Sequence, residues 1–329
     1  MRVAVLMGGP SSEHPVSLRT GAQVVAALGA RALPVVISKD GQWSFAGETP
    51  VSAGRALDQL VSRADVVFVG LHGPFGEDGT VQGLLDAAGL PYVGSGVLGS
   101  ALAMDKVRAK RVYRSSDIPT ADFVVFEGRD SAERRAELVA RAAGLGFPLV
   151  LKPAASGSSF GVSFPADAAA LGRDVDALLG AVDVALAERR IVGIELSCGV
   201  LDHGDRLEAL PVIEIVPDPS KYSYFDYEAK YTPGASEEIV PARIEDELAR
   251  AVQHLAVEAH RVLGLRDYSR TDFMVDGARR PWVLESNTLP GLTAESLLPK
   301  AARVAGYEFE RLIALLVERA AARGRPRWF

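Results

Sequence analysis

Two rhythms of apolar and polar residues alternate along the chain. "RVAVLMGG" is a continuous apolar run closed by two glycines, as in a strand buried on both faces. "SLRTGAQVVAALGA" switches to helical spacing, and "ALPVVIS" and "DVVFVGLHG" return to strand-like runs. This alternation predicts a parallel sheet covered by helices over residues 1–94. A second unit, 95–188, carries one helix over "SALAMDKVRAKRVYRSS", a strand "FVVFE", a helix around "SAERRAELVARAAGLG" and the run "FPLVLKPAASGSSFGVS". A third, 189–329, opens with the strands "IVGIELSCGVL" and "ALPVIEIV". After a Tyr-rich stretch it predicts a helix at roughly 245–264, a hairpin, and one amphipathic helix through "LLPKAARVAGYEFERLIALLVERAAAR". The closing "RGRPRWF" reads as a frayed tail. The expected class is α/β, α+β over the whole chain, with no internal repeat.

The hairpin "YSRTDFMVDGARRPWVLESNTLPG" is chemically out of place among its apolar neighbours. Residues two apart in a strand share a face, so Arg270 pairs with Asp272 and Glu285 with Asn287. A loop from Asp276 to Pro281, begun by Asp-Gly, sets Asp272 opposite Glu285 and Arg270 opposite Asn287. Two facing carboxylates repel unless a cation lies between them. An oxygen-only set suits Mg²⁺ or Mn²⁺ rather than zinc. A solvated strand face with an incidental Arg–Asp pair fits the hairpin equally well on its own.

Composition narrows the classes. A chain of 329 residues implies two or three domains, and a net charge of −6 gives no electrostatic case for a nucleic-acid partner. The single cysteine, Cys198, sits in an apolar strand and reads as a buried inert thiol in a reducing compartment. "MRVAVLMGG" is too short for a signal peptide, and no apolar run approaches the about 20 residues of a membrane span. A cytoplasmic protein is expected.

"GSGVLG", Gly94 to Gly99, matches the dinucleotide fingerprint but follows only a short strand deep in the chain, so a nicotinamide-dependent oxidoreductase is the weaker class. A P-loop is excluded because no Gly-Lys dipeptide occurs. In "VLKPAASGSSFGVS", however, Lys152 ends a strand and a Gly/Ser segment follows, which can wrap a polyphosphate or can be a plain surface hairpin. "KYSYFDYEAKYTPG" is long for a structureless connection and fits a lid. "HGPFGEDG" offers His72, Glu77 and Asp78 after a strand, and Ser11 or Ser12 in "PSSEHPVS" is expected to cap the first helix. Oxygen ligands, lysines, a Gly/Ser loop and a lid together describe an ATP-using site without a Walker sequence.

With these residues in place the sequence resembles the D-alanine–D-alanine ligase family of the ATP-grasp fold. The likeness runs nearly end to end through "GGPSSEHPVSLRTG", "HGPFGEDGTVQGLLDAAGLPYVGSGVLGSALAMDK", "LVLKPAASGSSFGVS", "DYEAKY", "SRTDF" and "ESNTLPGLTAESLLPKAARVAG". It implies a parallel N-terminal domain and two further α+β subdomains enclosing ATP. It implies that Asp272, Glu285 and Asn287 hold two Mg²⁺ or Mn²⁺ ions, and that Lys106, Lys152, Ser158, Ser159 and Lys230 meet the phosphates. Glu188, Arg189, Arg190 and Ile191 border the adenine, and Glu195 takes the ribose. Glu13 meets the first D-alanine with His72 beside it, while Ser296, Leu297 and Lys230 serve the second. Arg270 and the Gly291 amide stabilise the oxyanion, and Glu13, Ser158 and Tyr231 bridge the closed lid. A homodimer and a monovalent cation such as K⁺ are also implied. Pro15 and Ser156 depart from the family pattern; Ser156 is closer to the ligases that make D-alanyl-D-lactate, but the Lys230-Tyr231 lid fits an amine nucleophile. Other amino-acid ligases and a non-catalytic nucleotide-binding regulator are the alternatives.

Overall fold

The structure is a computed structural model and describes residues 1–157, 161–217 and 236–324. Its first sheet contains β1 (Val3–Gly8), β2 (Ala32–Ile37), β3 (Trp43–Phe45), β4 (Val66–Val69) and β5 (Tyr92–Val93), in the order β3-β2-β1-β4-β5. All neighbours are parallel except β3, which returns antiparallel on β2. The sheet is covered by α1 (His14–Leu28), α2 (Ala53–Arg63) and α3 (Thr80–Ala87). Every residue of β1 and β4 is buried, as their unbroken apolar runs require.

The helix expected as one over residues 100–116 is two, α4 (Val97–Met104) and α5 (Lys106–Ser115). Asp105 breaks it by adopting an extended backbone and capping α5, its carboxylate accepting the Arg108 amide at 2.9 Å. A small antiparallel sheet follows, β6 (Phe123–Glu127), β8 (Val184–Arg189) and β7 (Leu149–Pro153) in that order. It is backed by α6 (Ala132–Ala143) and α7 (Ala168–Leu179), which close a separate core around Phe126, Leu151 and Leu171.

The third sheet is antiparallel, β12 (Ser236–Ile239), β11 (Ile213–Pro217), β9 (Gly193–Asp202), β13 (Tyr268–Asp276) and β14 (Pro281–Asn287), with β10 (Leu207–Ala209) also on β9. The strand expected through "ALPVIEIV" is therefore split between β10 and β11, at Leu210–Val212. There Pro211 has no amide to give a ladder, while the Leu210 amide turns to the Gly199 carbonyl at 2.8 Å. Helix α8 (Asp246–Val262) packs on this sheet. The last predicted helix is also two, α9 (Leu297–Val304) and α10 (Phe309–Arg323). Gly306, at φ +92°, ends α9 in the left-handed conformation, and the Tyr307 amide bonds back to the Ala302 carbonyl at 2.9 Å.

One core joins the first sheet to the third unit: Leu6, Val69 and Val93 share it with Tyr268, Leu298 and Leu316. Cys198 is fully buried in β9, where burial pushes its thiol up to about 12, as an inert core residue. Among the described residues no helix is long and apolar enough to cross a membrane.

Candidate active site

Parallel neighbours bring the loops after their carboxyl ends together. β1 and β4 are such neighbours, so "GGPSSEH" and "HGPFGEDG" meet. Glu13, His72 and Glu77 offer ligand atoms within 4.8 Å of one another, and Glu13 and His72 are buried. The His72 ring is fixed from both sides, Nε2 at 2.8 Å from Thr20 Oγ1 and Nδ1 at 3.4 Å from Glu77 Oε1. Burial raises the Glu77 carboxyl above its ordinary range, against the pull of His72. The serine cap expected for α1 does not form. Glu13 is the cap residue, without a side-chain capping bond, while Ser11 Oγ donates to the His72 carbonyl at 2.7 Å and accepts the Glu13 amide. Pro15 sits in the first turn of α1, where its missing amide costs nothing.

On β13 and β14 the register is Arg270 opposite Asn287 and Asp272 opposite Glu285, as the sequence predicts. The route to it differs. Val275 pairs with Pro281, one residue tighter than expected, and a bulge at Leu284 restores the site register between Asp272 and Phe273. Arg270 clamps Asp272 with two bonds of 2.9 and 2.8 Å, and Ser197 and the Asn287 amide add bonds of 2.7 and 3.1 Å. Lys106 Nζ lies 3.1 Å from Glu285 and donates to the Ser156 carbonyl at 2.8 Å. The facing carboxylates are thus met by protein cations, Arg270 and Lys106. Asp272, Glu285 and Asn287 each carry a side-chain oxygen and no sulfur or imidazole, a set that fits Mg²⁺ or Mn²⁺ once Asn287, which here turns its amide nitrogen to Asp272, presents its oxygen instead.

A cavity of about 610 Å³ connects the two groups. Glu13, His72 and Glu77 line one part of it; Lys106, Arg270, Glu285 and Asn287 line another. Gly291, Ser296 and the buried Leu297 complete the wall. A Cβ on Gly291 would stand 2.9 Å from Ser296 Oγ, and one on Gly157 would stand 2.8 Å from Glu13 Oε1. Close approach therefore explains both glycines, and the start of the Gly/Ser loop lies directly over Glu13.

The family model described as "D-ala D-ala ligase C-terminus" matches residues 112–318, and "D-ala D-ala ligase N-terminus" matches 2–62 and 46–95. The "D-alanine--D-alanine ligase" of Desulfotalea psychrophila is 45% identical over 97% of this chain and 94% of its own. The chain belongs to the D-alanine–D-alanine ligase family. Among solved structures, the Bacillus anthracis ligase complexed with ATP is similar with a TM-score of 0.79 at 30% identity, covering 98% of both chains. The VanG D-Ala:D-Ser ligase from Enterococcus faecalis reaches 0.85 at 29% identity, covering 97% of this chain and 99% of its own.

The remaining family-implied residues fall in a second group. Lys152 ends β7 and Glu188 and Arg189 end the adjacent β8. The Glu188 carboxylate is nearly fully buried between Lys152 at 2.5 Å and Lys110 at 2.8 Å. Burial alone would raise its pKa, but the two ammonium groups overcome this and pull it down to about 2. The Lys110 contact is a charge contact and not an aligned bond, since Glu188 Oε2 accepts no hydrogen bond among the described residues. Arg189 lies over the Trp282 ring at 4.7 Å, Arg190 over Phe164 at 4.9 Å, and Ile191 is buried beside them in sequence. Glu195 pairs with Met274, two residues from the Ser197–Asp272 pair, so it shares the face of the sheet that carries the acids. Ser158, Ser159, Lys230 and Tyr231 lie outside the described residues.

Lys110 was not anticipated, and Glu77 had no assigned place. A single Lys in a basic helix carries no signal by itself. The usable signal is spacing, because Lys106, Lys110 and Tyr113 stand at i, i+4 and i+7 on one face of α5. The "GSGVLG" loop is spent on packing: the Gly94 amide donates to Asp267 at 2.7 Å, and a Cβ on Gly96 would strike Arg266.

Proposed function

We propose that this chain joins two D-alanine molecules at the expense of ATP, releasing ADP and phosphate, in the supply of peptidoglycan precursors. The observation that carries the reading is the β13–β14 register, which sets Glu285 and Asn287, with Asp272 opposite Glu285 behind them, at one wall of a cavity that has Glu13 and His72 at another. A carboxylate resists amines because it has no adequate leaving group. An oxygen of the first D-alanine carboxylate attacks the γ-phosphorus of ATP and ADP departs, giving an acyl phosphate. The amine of the second D-alanine then forms the C–N bond, and the tetrahedral adduct expels phosphate as the amine proton leaves.

In this reading Glu13, buried beside His72 and Glu77, receives the ammonium of the first D-alanine. Two carboxylates and an imidazole held from both sides favour a compact cation there. Arg270 and the Gly291 amide face the adduct's oxyanion, and Ser296 and Leu297 bound the second amino acid. Lys106 and Lys152 meet the phosphates, Glu188 to Ile191 border the adenine, and Glu195 faces the ribose. Asp272, Glu285 and Asn287 would hold Mg²⁺ or Mn²⁺, which neutralises charge on the transferring phosphoryl group when bound. Lys230, Ser158, Ser159 and Tyr231 are assigned to the lid and phosphates from the family pattern alone. The units 1–94, 95–188 and 189–329 are read as domains on the ground that each sheet falls within one of them, save for Arg189 at the end of β8. A cytoplasmic homodimer is part of the same reading.

Phosphate release by the purified protein with ATP, Mg²⁺ and D-alanine, with products identified by mass spectrometry, tests it. Parallel reactions use L-alanine, D-alanine with D-lactate, and D-alanine with D-serine. D-alanyl-D-alanine formed from the D-isomer alone is the expected result. Turnover only with D-lactate or D-serine as second substrate would overturn the substrate, and no ATP cleavage in any tube would overturn the ligase reading.

A further inference from the structure

We infer that Lys110 is a positioning residue for the nucleotide: it occupies one oxygen of Glu188 so that Lys152, on the other, keeps a net positive charge facing the phosphates. The inference rests on the reading that Lys152 meets ATP.

Lys110 has no exposed surface, so it cannot touch a ligand. Its ammonium lies 2.6 Å from Thr120 Oγ1 and 2.8 Å from Glu188 Oε2, with the Phe123 ring 5.8 Å away. Burial holds it below the usual lysine range, against the attraction of Glu188, and Lys152 and Arg114 push the same way as burial. A buried lysine is expensive, and replacing a buried ion pair with apolar groups is often neutral or stabilising. Fold stability alone gives this arrangement little support.

Charge counting supplies the reason. Lys110, Lys152 and Glu188 together carry one uncompensated positive charge in a nearly dry place. Without Lys110, Glu188 and Lys152 would form a closed neutral pair, and the field offered to a polyphosphate would largely cancel. With Lys110 present, the carboxylate is shared, and Lys152, whose side chain is 11% exposed, has both access and surplus charge. Thr120 ties the same ammonium to the metal-site strand, since its hydroxyl also donates to the Val283 carbonyl of β14 at 2.9 Å. Lys110 therefore fixes the phosphate lysine relative to the strand that carries Glu285.

The test is steady-state kinetics on Lys110→Met and Lys110→Arg, with separate KM values for ATP and for D-alanine. Lys110→Met is expected to raise the KM for ATP about tenfold, as for loss of one charged contact, with the D-alanine KM values within about twofold. Lys110→Arg, which keeps the charge, should recover most of that loss. An ATP KM unchanged in a folded Lys110→Met, or ATP and D-alanine KM values rising together, would overturn the inference. Should Lys110→Met fail to fold, Thr120→Ala carries the test, since it loosens the ammonium without removing it. A rise of about threefold in the ATP KM alone supports the inference, and no change overturns it. Lys152→Met separates the two levels: unchanged ATP affinity there would sink the nucleotide reading itself.

Discussion

Glu188 shows how a single side chain can be both expensive and indispensable. Its carboxylate is 3% exposed and lies between two ammonium groups, so removing its charge strands two buried cations. Glu188→Gln should destabilise the fold by about 3–5 kcal/mol in urea unfolding at neutral pH. The pH dependence has a definite sign. The folded-state pKa of about 2 lies below the unfolded value near 4.5, so the stabilisation is complete above about 4.5 and drains away as pH falls toward 2. Acid unfolding should therefore steepen in that window for the native chain, and the variant should lack that component. Glu77 has the opposite sign, since burial raises it and the folded state holds its proton longer. Residue types were the most legible part of the site: Asp272, Glu285, Asn287 and Arg270 stand out because polar groups interrupt an apolar hairpin. Lys110 was illegible because its partners, Thr120 and Glu188, lie 10 and 78 positions away along the chain.

At the scale of elements, β14 and α5 work as a pair. Along β14, Trp282 faces Arg189, Val283 bonds Pro119 and Thr120, Glu285 meets Lys106, Ser286 receives the Tyr113 hydroxyl, and Asn287 reaches Asp272. α5 supplies three of these contacts, directly or through Thr120, from the face that carries Lys106, Lys110 and Tyr113. Tyr113→Phe removes only the 2.8 Å bond to Ser286, deep in the core, and Ser286 keeps Thr271 as a partner. The expected cost is about 1 kcal/mol, read as a small drop in the unfolding midpoint with the urea m-value unchanged. Helix periodicity in the sequence ran straight through Asp105 and Gly306, because a break of one or two residues barely disturbs apolar spacing. Both residues did carry the signal, an Asp before a basic run and a Gly after the last apolar turn. The bulge at Leu284 left no such trace; it answers a turn one residue tighter than Asp-Gly spacing suggested.

At the scale of the whole molecule, the first and third units share a hydrophobic core and are also clasped by a buried polar contact. Asp267 is fully buried at φ +62°, accepts the Gly94 amide at 2.7 Å, and is gripped by both ends of the Arg323 guanidinium. Arg323 also donates to the Tyr92 carbonyl at 2.7 Å, and the Asp267 carbonyl accepts the Asp202 amide. A residue near the C-terminus thus locks β5 of the first sheet to the start of β13. Arg323→Ala leaves a buried carboxylate without its cation and should cost about 3–5 kcal/mol, seen as a lower urea midpoint. The parallel sheet of the first unit and the hairpin of the third were readable from strand and helix rhythm, whereas β8, the central strand of the second sheet, was not. This clasp was not, because Gly94 and Asp267 are 173 residues apart and neither is unusual in its own surroundings.

The stacked indole of Trp282 has an optical consequence. Arg189 and Arg280 lie over its ring at 4.7 and 4.3 Å, and its Nε1 donates to Asp276 at 2.8 Å. The only other described tryptophan, Trp43, is buried in β3 of the first sheet. Trp282 is therefore a natural fluorophore beside the segment assigned to adenine. Titrating the Trp43→Phe variant with ADP should change its emission, while Trp282→Phe should abolish most of that change. The protein would then report nucleotide binding by its own light, with no label attached.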